Sequence, residues 1–220
     1  MLNTKKLASI LLFSFLVLGF SKGQETMQQT NLPAIGKWLL HKDGLPSHWF
    51  WEKYKNRTLY EPINVIIIDE FSTSEDDAVK KLMRECKNAG YEEESGHSSG
   101  YLGSIDNILY KQIPNDKRMA FSNKEFFVTN NHGRIMGPAY YGGKYIFIGA
   151  FSTESFKVFD KAHHRYVSFV RARDDFCKRM NDTSIYRIVG SNALDNIVDD
   201  EQFTTADHDG MAIILSATEK

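Results

Sequence analysis

The chain has 220 residues, 42% of them hydrophobic and 25% charged, with a formal net charge of −1. That is enough apolar residue for one good core and too much for a disordered chain. No apolar run of 18 residues occurs beyond the N-terminus, so an internal membrane span is not expected.

The first residues read as an export address. Lys5 and Lys6 precede an apolar run from Leu7 to Phe20, and Ser21 and Gly23 place small residues where a signal peptidase cuts, which predicts cleavage between Gly23 and Gln24. An uncleaved anchor is the alternative, although the run is shorter than the ~20 residues of a bilayer span. Cleavage removes Lys5, Lys6 and Lys22 and no acid, moving the charge from −1 to −4. A mildly acidic exported protein lacks the basic footprint that gathers proteins on nucleic acid, so no nucleic-acid partner is expected, and no membrane span remains after cleavage. Three segments follow: a signal peptide over 1–23, a tail and aromatic arm over 24–61, and a domain over 62–220.

In the arm, Trp49, Phe50, Trp51 and Tyr54 crowd beside His48. They suit either a stacking platform for a ligand or simple packing onto the domain, the second being favoured by the large burial term of aromatics. Asn56 and Asn181 stand in N-glycosylation patterns, which matter only where the host glycosylates. INVIIID after Pro62 is a β-branched run that predicts a strand buried on both faces. Ser74 caps a helix with Asp77 completing a capping box, Val79, Leu82, Met83 and Cys86 form the inner stripe, and Gly90 ends it.

Glu92 to Gly100 reads as a polar loop in which His97 is solvated. Ser104 to Gln112 reads as one strand, Pro114 to Lys117 as a turn, and Glu125 to Met136 as a strand interrupted at Asn-Asn-His-Gly by a turn or bulge. Gly142-Gly143 turns into a strand over Lys144 to Phe151. Between Ala162 and Met180 a histidine pair leads into a helix whose buried stripe is Tyr166, Phe169, Val170, Phe176, Cys177 and Met180. A strand in TSIYRIVGS, an acidic loop from Ser191 to Thr205, an Asp209-Gly210 turn and the strand MAIILSA close the chain. The order β-α-β-β-β-α-β-β predicts an α+β fold, a two-layer sandwich of a mainly antiparallel sheet and two amphipathic helices.

The chemistry-bearing candidates are Asp106, His132, Arg134, His163, His164, Arg173 and Asp174. Adjacent histidines on a helix point about 100° apart, so His163 and His164 can share a metal only if they precede the helix, with His132 and a carboxylate from Asp174 or Asp106. No fixed-spacing motif supports such a set, and histidines capping a helix start are the preferred reading, with no cofactor or metal expected. Arg173 lies on the dry stripe and must either snorkel out or meet a carboxylate; an internal ion pair with an acid on the sheet is expected, Asp106 being the first choice. Cys86 and Cys177 sit on helix stripes as small hydrophobes; a disulfide stays open if the helices lie side by side. No P-loop, nucleophile elbow or dinucleotide fingerprint occurs, and Asp207-His208-Asp209-Gly210 reads as a turn.

These residues carry a resemblance. YLGSIDNILY through Gly103 and Asp106, NNHGRIM through His132 and Arg134, YIFIGAFS through Gly149 and Ala150, and HHRYVSFVRARD through His163, His164, Arg173 and Asp174 resemble the LssY C-terminal domain family. The resemblance spans Pro62 to Asn181 and departs from the family pattern at Asn131, Tyr166, Ser168 and Val170. It implies a bacterial exported domain and no particular activity. Two functions are therefore expected: a non-catalytic exported domain binding a small ligand, an envelope component or a protein partner; or a His/Asp-based hydrolase, with or without a metal, acting on phosphorylated or lipid-derived envelope substrates through His132, His163 or His164 with Asp174.

Overall fold

The computed structural model describes residues 31–49, 53–114, 118–125, 127–156 and 164–219. The expected signal peptide over 1–23, Phe50, Trp51 and His163 lie outside them.

In chain order the elements are β1 (Thr58–Leu59), β2 (Val65–Asp69), α1 (Glu75–Asn88), β3 (Glu92–Ser95), β4 (Leu102–Ile105), β5 (Ile108–Ile113), β6 (Met119–Ser122) and β7 (Asn130–Tyr141). They continue with β8 (Lys144–Phe156), β9 (His164–Ser168), α2 (Phe169–Thr183), β10 (Tyr186–Ala193), β11 (Phe203–Thr204) and β12 (Met211–Ala217). The main sheet runs β10-β12-β2-β8-β7-β5-β4, with β6 on β7, β3 on β6 and β9 on β8. It is mixed, because β12 pairs parallel with β2 while the other main-sheet pairings are antiparallel. The result is a sheet-rich α+β protein with two helices and a sheet that does not close.

The sheet is covered on both faces. Val65 and Ile67 of β2 join Leu82 and Cys86 of α1, Phe176 and Cys177 of α2 and Phe147 and Phe151 of β8 in one core. Ile66 and Ile68 point the other way, to Leu39 of the arm, Ile105 of the β4–β5 hairpin and Met136, Ile146 and Ile148. An unbroken β-branched run is what a strand needs when neither face meets water. The arm is part of the fold: Ile63 N donates to Lys37 O at 3.0 Å and Leu40 N to Leu102 O at 2.8 Å.

Helix α1 begins as its sequence dictates, Ser74 Oγ accepting from Asp77 N at 3.2 Å, while the Asp77 carboxylate reaches back to Thr73 N at 3.1 Å. Gly90 follows its end at φ +71, where a Cβ is strained. Both cysteines are buried and free, each filling its helix stripe as a small apolar side chain, and burial pushes both thiols up.

Five expectations of local structure are corrected. Glu92 to Ser95, read as the start of a polar loop, is strand β3, paired with β6. The stretch Ser104 to Gln112 is a hairpin, because Asp106 and Asn107, at φ +52 and +62, make the two-residue turn that matches strand twist. The Asn-Asn-His-Gly stretch neither turns nor bulges; its residues run in register from Asn130 to Met136 against β8. Gly133 is there because a Cβ at this position would collide with the ring of Phe151 on the paired strand. The second helix starts at Phe169 rather than at the histidine pair. His164 to Ser168 pairs with β8, and extended Ser168 (φ −166) caps the helix by accepting from Arg171 N at 2.9 Å. Val170, placed on the buried stripe by its period, is only partly covered.

Arg173 meets a different acid from the expected one. Asp106 is exposed on its hairpin turn, and Arg173 instead forms a bidentate pair with Asp209 at 2.6 and 3.0 Å, with Nε on Asp174 at 2.9 Å and Nη1 on Met211 O at 2.9 Å. Asp207 accepts from Phe169 N at 2.9 Å and from the hydroxyls of Tyr166 and Ser168. An anion at the first turn of a helix opposes the positive end of its dipole. The Asp207-His208-Asp209-Gly210 stretch is thus a two-point clamp on the start of α2.

Between the two clamping acids, His208 is buried, its Nε2 2.7 Å from Asn196 Oδ1 and its Nδ1 enclosed without a hydrogen-bond partner among the described residues. Burial, opposed by Asp209 and Asp207 and helped by Arg173, pulls its pKa from 6.5 to about 4. Unfolded, the ring takes up a proton near pH 6.5; folded, it stays neutral until about pH 4. The unfolded chain holds the extra proton in between, so stability is whole above pH 6.5 and falls as pH drops through this window, by at most about 1.4 kcal/mol per pH unit for this group. Urea unfolding of His208→Gln and the parent at pH 8 and pH 5 checks it: the parent should lose more stability between the two. Equal losses would place the acid sensitivity elsewhere.

Candidate functional site

The candidate site is written in the alternation of β7. Asn131 faces α2, its Nδ2 donating to Asp175 at 3.0 Å, and Ile135 joins the helix-side core. Asn130, His132 and Arg134 therefore point to the opposite face, toward the arm, as residues two apart on a strand must. On the neighbouring strand β8, Glu154 points the same way, and beyond it β9 contributes His164. The loop between β3 and β4 lays His97, Ser98 and Tyr101 over this patch, and the arm adds His41, Ser47, His48, Trp49 and Glu61.

Five ionisable side chains are buried here together: Glu61, His97, His132, Arg134 and Glu154 retain 7, 4, 2, 6 and 4% of their surface. The rings of His97 and His132 stack with centroids 4.7 Å apart at 27°. Asn130 Nδ2 donates to Val128 O at 2.9 Å and to Glu154 Oε1 at 3.0 Å, which fixes its Oδ1 as an acceptor. His132 Nδ1, 3.1 Å from that oxygen, must then carry the proton, leaving Nε2 as a lone pair. Glu154 Oε1 lies 3.1 Å from His164 Nδ1 and 3.9 Å from His132 Nδ1. Alongside, Arg134 donates to Ser98 Oγ at 2.9 Å, lies 3.5 Å from Glu61 Oε1, and stacks 4.6 Å over Tyr101; Ser47 donates to the second oxygen of Glu61.

Charge follows from burial. Desolvation, with the positive potential of Arg134 and any charge on His132, pulls His97 down to about 3, and desolvation likewise lowers His132. Burial raises Glu154, but His132, His164 and Asn130 outweigh it and hold the carboxyl down at about 2. Burial thus disfavours charge on His97 and His132, while Glu154 is held toward its ionised form.

Of the residues singled out from sequence, the fold brings His132, Arg134 and His164 together. Asp106, Arg173 and Asp174 are elsewhere, on a hairpin turn and in the helix clamp, and His163 lies outside the described residues. His97 is buried in the centre rather than solvated, because its polar loop folds back over the sheet. Glu154, Glu61 and Asn130 were missed. The alternation of Asn130, His132 and Arg134 was a usable signal for one wall; nothing local marks Glu61 or Glu154.

Comparison with protein-family models, with curated proteins and with solved structures found no match. The resemblance to the LssY C-terminal domains accordingly rests on the sequence motifs quoted for it.

Proposed function

We propose that the chain is an exported, LssY-like binding domain whose small polar ligand is held at the His97–His132–Glu154 centre. The observation that carries this reading is the convergence of five buried ionisable groups from the arm, the β3–β4 loop, β7 and β8. Burying the charged members of such a cluster costs several kcal/mol each in desolvation, which hydrophobic packing of the same volume avoids. Clusters of that kind mark functional sites. The two-lysine, apolar, small-residue address at the N-terminus supports export. Among the described residues no helix is long and apolar enough to cross a membrane.

Binding is preferred over the hydrolase reading because Asp174, the carboxylate that reading relied on, is engaged by Arg173, whose other partner is Asp209. Native mass spectrometry of the purified protein, followed by thermal shifts with zinc, inorganic phosphate, citrate and simple sugars, tests the proposal. The expected result is a retained small mass or a stabilising ligand whose effect is lost in Glu154→Gln. No adduct and no stabilising ligand would end it.

A further inference from the structure

The geometry points to a divalent transition-metal site of the zinc class, formed by His97, His132 and Glu154. This deepens the binding reading and rests on it. One ligand atom from each residue lies within 4.8 Å of the other two, and all three side chains are buried. Around a tetrahedral ion with ligand bonds of about 2.0–2.1 Å, neighbouring donor atoms stand roughly 3.3–3.5 Å apart. The set therefore closes on an ion by moving about an ångström or less, within reach of small side-chain rotations.

The donor chemistry selects the ion. Two imidazoles and one carboxylate suit zinc and its neighbours, whereas calcium and magnesium require shells of oxygen. Three protein ligands leave one tetrahedral position for water or a substrate atom, as in catalytic rather than structural zinc sites.

What surrounds the three residues is arranged as metal ligands require. Asn130 holds two of them at once, facing His132 Nδ1 with its Oδ1 and donating to Glu154 Oε1 through its Nδ2, which fixes the orientation of both side chains. Asn130 is itself fixed by Val128 O at 2.9 Å. His164 adds a second contact to the same carboxylate oxygen at 3.1 Å. Partners of this kind set ligand tautomer and direction, and losing one typically lowers metal affinity about 10–100-fold. The ligands come from the β3–β4 loop, β7 and β8, so an ion here ties the loop to the sheet.

The test is calorimetric titration of zinc, with the metal alone as probe, into tag-free protein stripped by a chelator. One equivalent should bind and raise Tm. Glu154→Gln and His97→Ala should each lower affinity more than about 100-fold, and Asn130→Ala about 10–100-fold. Circular dichroism establishes that each variant is folded. The visible spectrum of the unmutated protein loaded with cobalt(II) reports four-coordination without any variant, which keeps the test decisive if a substitution unfolds the chain. Absence of stoichiometric zinc and of a cobalt site, or binding undiminished in both folded ligand variants, overturns the metal site. If phosphate, citrate or a sugar still stabilises the protein in a Glu154-dependent way, the binding reading survives that failure. If none does, both fall.

Discussion

Arg134→Met is expected to destabilise the protein by about 3–5 kcal/mol, the range found when one partner of a buried ion pair is removed. Methionine fills much the same space, so the loss is electrostatic. Arg134 sits 3.5 Å from Glu61, both nearly inaccessible, and also contacts Ser98 O, Ser98 Oγ and the face of Tyr101. Without the guanidinium, the Glu61 carboxylate is left buried with Ser47 as its remaining described side-chain donor. The double variant Arg134→Met with Glu61→Gln should recover part of the loss, because the uncompensated charge is then gone. Urea midpoints for the two single variants and the double variant close the cycle. A single-variant loss below about 1 kcal/mol would mean that water reaches the pair and that the site is open.

Phe176→Ala is expected to cost a similar amount, about 3–5 kcal/mol, for an unrelated reason. Phe176 is fully buried on α2, stacks on Phe151 at 4.0 Å and meets Tyr91 edge-on at 5.0 Å. Truncation removes apolar contact and leaves a void between helix and sheet that strand backbones cannot collapse into. In a domain of this size the expected fall in Tm is roughly 6–20 °C by differential scanning calorimetry. Zinc affinity should change little once the variant is folded, since the ring lies on the face of the sheet away from Glu154. A large loss of affinity in the folded variant would show that the two faces are coupled.

Legibility in the sequence followed the range of the physics involved. Strand β2 and helix α1 were readable because a β-branched run, a Ser cap and a terminal glycine act within a few residues of themselves. The start of α2 was misplaced because Tyr166 lies at a spacing that suits a helix face, while what decides its state is pairing with β8. Gly133 suggested a turn, yet it answers to Phe151, a residue 18 positions away on another strand. The site shows the same division. His132 and Arg134 were found because their own strand carries them. Glu154 and His97 were not, because their roles arise from strand pairing and loop closure, and the arginine-and-acid motifs of α2 drew attention to a clamp instead.

The alternation along β7 sets rules for change in this segment. Even-numbered residues from 130 to 134 serve the ionisable centre, and odd-numbered ones serve the packing beneath the helices. Inserting or deleting one residue here would exchange the two sets, driving an imidazole and a guanidinium into the core and turning Ile135 toward the polar cluster. Substitution is tolerated or refused position by position, but length is tolerated only in steps that preserve parity.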